Sequence, residues 1–154
     1  SNAQPILINH HKGSMSLCCN GALTNAAELR DELEAGGAIF HATADTEVIA
    51  YIITQQRLKS GSIENAVFNT MSIIKGAYSM VVMSPTKMIA CRDPHGFRPL
   101  CMGRMGDKII FASESYPSTE LKEKILSRSS LCSRGRTFAM AAGLWVGTRY
   151  LLPC

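Results

Sequence analysis

Three places in this chain gather side chains that could do chemistry. Asp93, His95 and Arg98 put a carboxylate, an imidazole and a guanidinium close together. Taken alone, that set suits acid–base catalysis or phosphate binding. Asp93-Pro94-His95-Gly96 is also a strong turn signal, and a structural turn or a contact with a further domain is the favoured reading. Asp45 precedes an apolar helical pattern, so its carboxylate can cap that helix. It can equally face an ammonium in a partly dry pocket. Asn20-Gly21 joins a side-chain amide to a backbone tolerant of positive φ, and the dipeptide alone reads as a turn that ends a strand. Cys18, Cys19, Cys91, Cys101, Cys132 and Cys154 form no C-x-x-C, and no His lies at zinc spacing, so no metal site is expected.

The elements that must position these groups follow from period and punctuation. Pro5 to Asn9 and Ser14 to Cys19 read as a hairpin around His10-His11-Lys12-Gly13. Asn25 and Glu28 have the spacing of a capping box, and Leu29 and Leu33 follow at helical spacing until Gly36-Gly37. Residues 46–58 carry one apolar face, Val48, Ile49, Ile52 and Ile53. Glu47 is then a first-turn acid favoured by the helix dipole. Ser62 can cap a third helix with Ile63, Ala66, Val67, Thr70, Ile73 and Ile74 inward. After Gly76 the period shortens to about 2. Ala77 to Met83, Met88 to Cys91, Arg98 to Gly103 and Lys108 to Ala112 then read as a meander of strands. Helices first and antiparallel strands second give an α+β class, not alternating β-α-β units. Pro117 to Ser127 can form a helix capped by Ser118, and no period follows Arg128.

Hydrophobic residues make up 46% and charged residues 18%, a globular balance that excludes a disordered chain. No apolar run approaches the roughly 18 residues of a membrane-spanning helix. No secretion signal is visible, so free thiols in the cytoplasm are expected. Residues 1–115 hold ten Lys/Arg and ten Asp/Glu, so the net charge of +4 falls in residues 116–154. That basic tail raises nucleic acid as a partner, with steep salt dependence as its signature. It lacks base-stacking aromatics, so a solvated segment is the preferred reading.

Six segments within residues 2–115 resemble a known family. Leu17-Cys18-Cys19-Asn20-Gly21-Ala22-Leu23-Thr24-Asn25 is similar to the H-N-G-x-L-x-N segment of class II glutamine amidotransferases. Thr43-Ala44-Asp45-Thr46-Glu47-Val48 is similar to their T-S-D-T-E-V segment. Within that class, Arg92 to Leu100, Lys75 to Ser79 and Phe111 to Ser115 resemble runs found in amidophosphoribosyltransferases, as does Asn2-Ala3-Gln4-Pro5. The Asp-Pro-His-Gly-Phe-Arg-Pro-Leu run separates that family from glucosamine-phosphate synthase, the nearest alternative.

The resemblance implies an incomplete four-layer α-β-β-α sandwich of the N-terminal-nucleophile hydrolase type. It implies a partial glutamine amidotransferase domain over residues 1–115, followed by a basic, family-unlike tail over 116–154. In the family, glutamine is hydrolysed here and ammonia passes to phosphoribosyl diphosphate, the first step of purine nucleotide synthesis. Asn20 and Gly21 match the oxyanion-hole donors, and Asp45 matches the carboxylate that binds the α-ammonium of glutamine. The family nucleophile is an N-terminal Cys, and none of the cysteines here takes that place, so the chain as written is expected to be inactive. No cofactor is implied for these residues. Magnesium would serve the phosphoribosyltransferase domain, which is the implied partner within a homo-oligomeric parent enzyme. Cys19 stands where the family has His, Ala22 where it often has Asn, and Ala44 where it often has Ser. A non-catalytic binding or scaffold module on the same fold is the alternative from another class.

Overall fold

The computed structural model describes residues 2–105, 108–112, 138–141 and 144–146. A six-stranded antiparallel sheet has the order β1-β2-β3-β4-β7-β8. Its strands are β1 (Ile6–His10), β2 (Gly13–Leu23), β3 (Gly76–Met83), β4 (Lys87–Arg92), β7 (Phe138–Ala141) and β8 (Leu144–Val146). β5 (Cys101–Met105) and β6 (Lys108–Ala112) pair only with each other, as a two-stranded sheet. Helices α1 (Ala26–Ala35), α2 (Asp45–Lys59) and α3 (Ile63–Ile73) sit between β2 and β3 in sequence.

Alternation along the strands divides the sheet into two faces. Met15 and Leu17 of β2 and Tyr78, Met80 and Val82 of β3 are buried with Val48, Ile49, Ile52 and Ile53 of α2 in one core. Fully burying each such aliphatic side chain contributes about 2 kcal/mol. The opposite face carries Cys18, Asn20, Ser79 and Val81, which share a cavity with Leu100, Phe111 and Ala112. The small sheet therefore lies across from the helices. One helical layer and two sheets give three layers of the α-β-β-α arrangement among the described residues.

Several local expectations change in the folded chain. Ser62 caps α3 through the Asn65 N–H, at 3.2 Å. Asn25 precedes α1, but its side chain makes no cap bond. It reaches instead to Ile73 O (3.1 Å) and the Lys75 N–H (2.9 Å), so it fastens the α3–β3 connection to the start of α1. The meander stops at β4. Its free edge takes β7, and the next strand, starting at Cys101 and not Arg98, joins the second sheet. β7 and β8 lie where no period was visible, because strands of four and three residues are too short to show one. The helix expected over Pro117 to Ser127 lies outside the described residues.

Candidate active site

The Asn20-Gly21 dipeptide does not end β2, as the turn reading expected. The strand runs on to Leu23, with Asn20 opposite Ser79 and Gly21 opposite Tyr78. A pair of glycines explains this. Gly21 has φ +142° and Gly76 has φ +138°. A Cβ on Gly21 would lie 2.0 Å from Ala77 O, and one on Gly76 would lie 2.4 Å from Ala22 O. The two strands approach so closely here that only glycine fits.

The N–H directions along this stretch are set by alternation. Thr24 N–H points toward the β3 side and bonds Lys75 O at 2.8 Å. Cys19 N–H and Leu23 N–H point the other way, to the sheet edge beyond the end of β1. Gly21, midway between them, projects its N–H to the same edge. The β1–β2 register begins only at Ile6↔Leu17, so β1 itself does not extend alongside residues 18–23.

Side chains occupy that edge instead. The Gln4 amide bonds both backbone groups of Cys19: Oε1 accepts from the N–H at 2.6 Å and Nε2 donates to the carbonyl at 2.9 Å. Asp45 Oδ2 accepts from Leu23 N–H at 2.7 Å. Asp45 is the first residue of α2, with Ala44 at the cap position, so it ties the helix N-terminus to β2 and is not the cap. The loop before it is fixed in turn. Glu47 accepts from the N–H groups of His41 and Ala42, the latter at 2.8 Å, which is more than a dipole effect. Arg30 Nη1 donates to Ala42 O at 3.0 Å while its guanidinium stacks over the Phe40 ring at 4.1 Å.

Asn20 is exposed on the face away from the helices, in the cavity of about 230 Å³ that it shares with Cys18, Ser79, Leu100 and Phe111. Asn20 and Gly21 thus lie on β2, with the Asn20 side chain on the face away from the helices and the Gly21 N–H at the edge, and Asp45 of α2 is bonded to the same strand at Leu23. Cys19 projects between them toward the helices. Burial, then the nearby Asp45 carboxylate and then Cys18 push its thiol up to about 12, so it stays protonated near neutral pH and is a poor nucleophile. A larger cavity of about 540 Å³ lies between β1 and α2, lined among others by Gln4, Ile8, His41, Glu47 and Tyr51, and it includes none of the three predicted residues.

The Asp93 cluster is a turn. Asp93 is fully buried, and its carboxylate accepts from the N–H groups of His95 (2.9 Å), Phe97 (3.0 Å) and Arg98 (3.4 Å). Its own N–H bonds Tyr78 O at 2.8 Å. The His95 ring faces Phe97 with centroids 5.6 Å apart. The three charged side chains are therefore not gathered into one site. Among the described residues, no three His, Cys, Asp or Glu side chains come together in a metal-binding group.

Gln4 and Glu47 are the positioning residues that sequence reasoning did not assign. Gln4 sat in the N-x-Q-P segment, a motif without a role until its contact with Cys19 appeared. A helical layer on an antiparallel sheet, backed by a second sheet, places the chain in the N-terminal-nucleophile hydrolase class. The glutamine amidotransferase domain family matches residues 1–117, and the chain belongs to that family. It is 42% identical over 115 residues to the amidophosphoribosyltransferase of Bacillus subtilis, covering 74% of this chain and 24% of that protein. It is 41% identical over 120 residues to that of Methanocaldococcus jannaschii, covering 78% of this chain and 26% of that protein. The structure of glutamine phosphoribosylpyrophosphate amidotransferase from B. subtilis, complexed with ADP and GMP, superposes with TM-score 0.81 at 33% identity. That match covers 99% of this chain and 32% of the other. The chain thus spans about a quarter of the length of the curated relatives it matches.

Proposed function

We propose that these residues form the oxyanion-binding and ammonium-binding part of the glutamine-hydrolysing site of an amidophosphoribosyltransferase. The carrying observation is the stretch 20–23 of β2, which holds an amide side chain, an edge N–H and, bonded at Leu23, a partly buried carboxylate. Hydrolysis of a side-chain amide passes through a tetrahedral oxyanion, and donors aimed at that oxygen stabilise it in proportion to their preorganisation. Asn20 Nδ2 and the Gly21 N–H are the two donors. Asp45 keeps one carboxylate oxygen for the α-ammonium of glutamine while the other holds Leu23. Cys19 lies inside β2, so it has no free α-amino group to serve as its base, and burial raises its thiol further. In the reaction, the released ammonia goes to a phosphoribosyl-transferring domain, for which magnesium is the expected metal. Among the described residues, Cys18, Cys19 and Cys101 are free thiols, which suits a reducing compartment such as the cytoplasm.

The test is ammonia release from glutamine by this chain extended with a Cys-initiated N-terminal segment of the family. The extended chain should hydrolyse glutamine, and Asn20→Ala should lower kcat on the order of 100-fold or more. Unchanged kcat in that variant would remove Asn20 from the site. The scaffold alternative draws on Asp45 being already engaged by Leu23. It predicts no preference for glutamine and glutamate over other amino acids in calorimetric binding.

A further inference from the structure

We propose that Gln4 is a positioning residue that holds the backbone under the Asn20–Gly21 donor pair, in the place where a neighbouring strand would lie. Extended one and two residues beyond Ile6↔Leu17, where the pairing ends, the β1–β2 register would set Pro5 opposite Cys18 and Gln4 opposite Cys19. The main-chain ladder with β2 stops at Ile6. The Gln4 side chain takes over beyond it. Its amide presents one donor and one acceptor and closes the same two-bond ring that a hydrogen-bonded strand pair makes.

The substitution of side chain for strand has a consequence at Gly21. A continuing strand would consume each edge-facing N–H of β2 in turn, and Gly21 would be among them. Gln4 fixes Cys19 and Asp45 fixes Leu23, so the stretch is pinned two residues to either side of Gly21. Its N–H then faces the edge, and no strand of the described residues lies in front of it. Fixed ends and an open centre are what a preorganised oxyanion donor needs. The catalytic part of this inference rests on the function proposed above; the clamp itself does not.

Two variants separate the possibilities. Gln4→Leu removes both bonds. Gln4→Glu loses the donor when ionised and regains it when protonated. Amide hydrogen exchange by NMR on the 154-residue chain reads the clamp directly, with the Ile49 and Ile53 amides as a control for folding. Cys19 exchange should quicken about five-fold in Gln4→Leu, the worth of one ordinary hydrogen bond. In Gln4→Glu the carboxylate still accepts from the Cys19 N–H, so Cys19 exchange should stay near the parent rate, and only the bond to the Cys19 carbonyl is lost until the carboxyl protonates. In the extended, glutamine-hydrolysing chain, Gln4→Glu should lower kcat with KM nearly unchanged, and kcat should recover toward acid pH relative to the parent profile. Unchanged Cys19 exchange in Gln4→Leu would overturn the clamp. Quickened exchange with unchanged kcat would overturn the positioning role. An extended chain that hydrolyses no glutamine with Gln4 intact would overturn the functional reading, and the exchange result would still decide the clamp.

Discussion

Asp45 and Asp93 each open a short motif, and each accepts backbone N–H groups, yet the fold uses them differently. Asp93 is wholly buried and takes three N–H groups from the five residues that follow it. It is saturated by its own turn. Asp45 is half-buried and takes one N–H, from a strand 22 residues earlier in the chain. Its other oxygen accepts no hydrogen bond from the described residues. A carboxylate consumed by local backbone builds structure, whereas one held by a single distant contact is positioned and still available.

That difference can be broken by substitution. Asp93→Ala should be the most damaging change, because it strands three N–H groups that the buried carboxylate satisfied. A loss of about 4 kcal/mol in denaturant unfolding is expected. If Asp93→Ala costs less than about 1 kcal/mol, the turn is not held by its carboxylate. Asp45→Asn should do the reverse. It keeps an acceptor for Leu23 and should cost at most about 1 kcal/mol of stability. Its affinity for glutamine should fall about ten-fold or more, since a charge-assisted bond to ammonium is lost. Calorimetric titration with glutamine checks this, and equal binding by Asp45→Asn would make Asp45 as structural as Asp93.

The smallest effect concerns a carboxylate of a third kind, paired with a cation. Burial pushes the Glu64 carboxyl up, but the hydrogen bond from Lys87, 2.5 Å away, together with the Glu64 backbone hydrogen bond, the Lys87 charge and the Ser62 hydroxyl, outweighs it and leaves the group below its ordinary value. A depressed carboxyl contributes stability above its unfolded value of about 4.3, and loses it as the pH falls through the folded value. The pair is partly exposed, so less than about 1 kcal/mol is expected. Thermal unfolding should show a shallower acid-side decline in Lys87→Met than in the parent chain. An identical decline would mean that the pair does not couple α3 to β4.

The helices were legible because their signals are local. Ser62 caps α3 as its type and spacing predict, and the four apolar residues of α2 are buried together. The residues of the candidate site were named from their motifs, but their surroundings were not. Asn25 looked like a cap because Glu28 lies at the right spacing; a longer-range contact with the α3–β3 connection took the side chain instead. Cys19 showed only a departure from a motif, and its neutral thiol follows from burial beside Asp45.

By itself, the sequence determined the α+β class, the three helices, the first hairpin and which residues carry the amidotransferase motifs. Period, caps and turn chemistry act over a few residues and are written in the chain. Only the tertiary structure decided that β2 continues through Asn20-Gly21, that β4 pairs with β7, and that β5 and β6 form a separate sheet. Strand pairing joins segments far apart in sequence. Gly21 tolerates a turn or a close strand contact equally well on its own, and Gly76, 55 residues away, removes the choice. The open edge at Gly21 has the same origin, since it depends on where β1 stops and on which side chains reach the place it leaves.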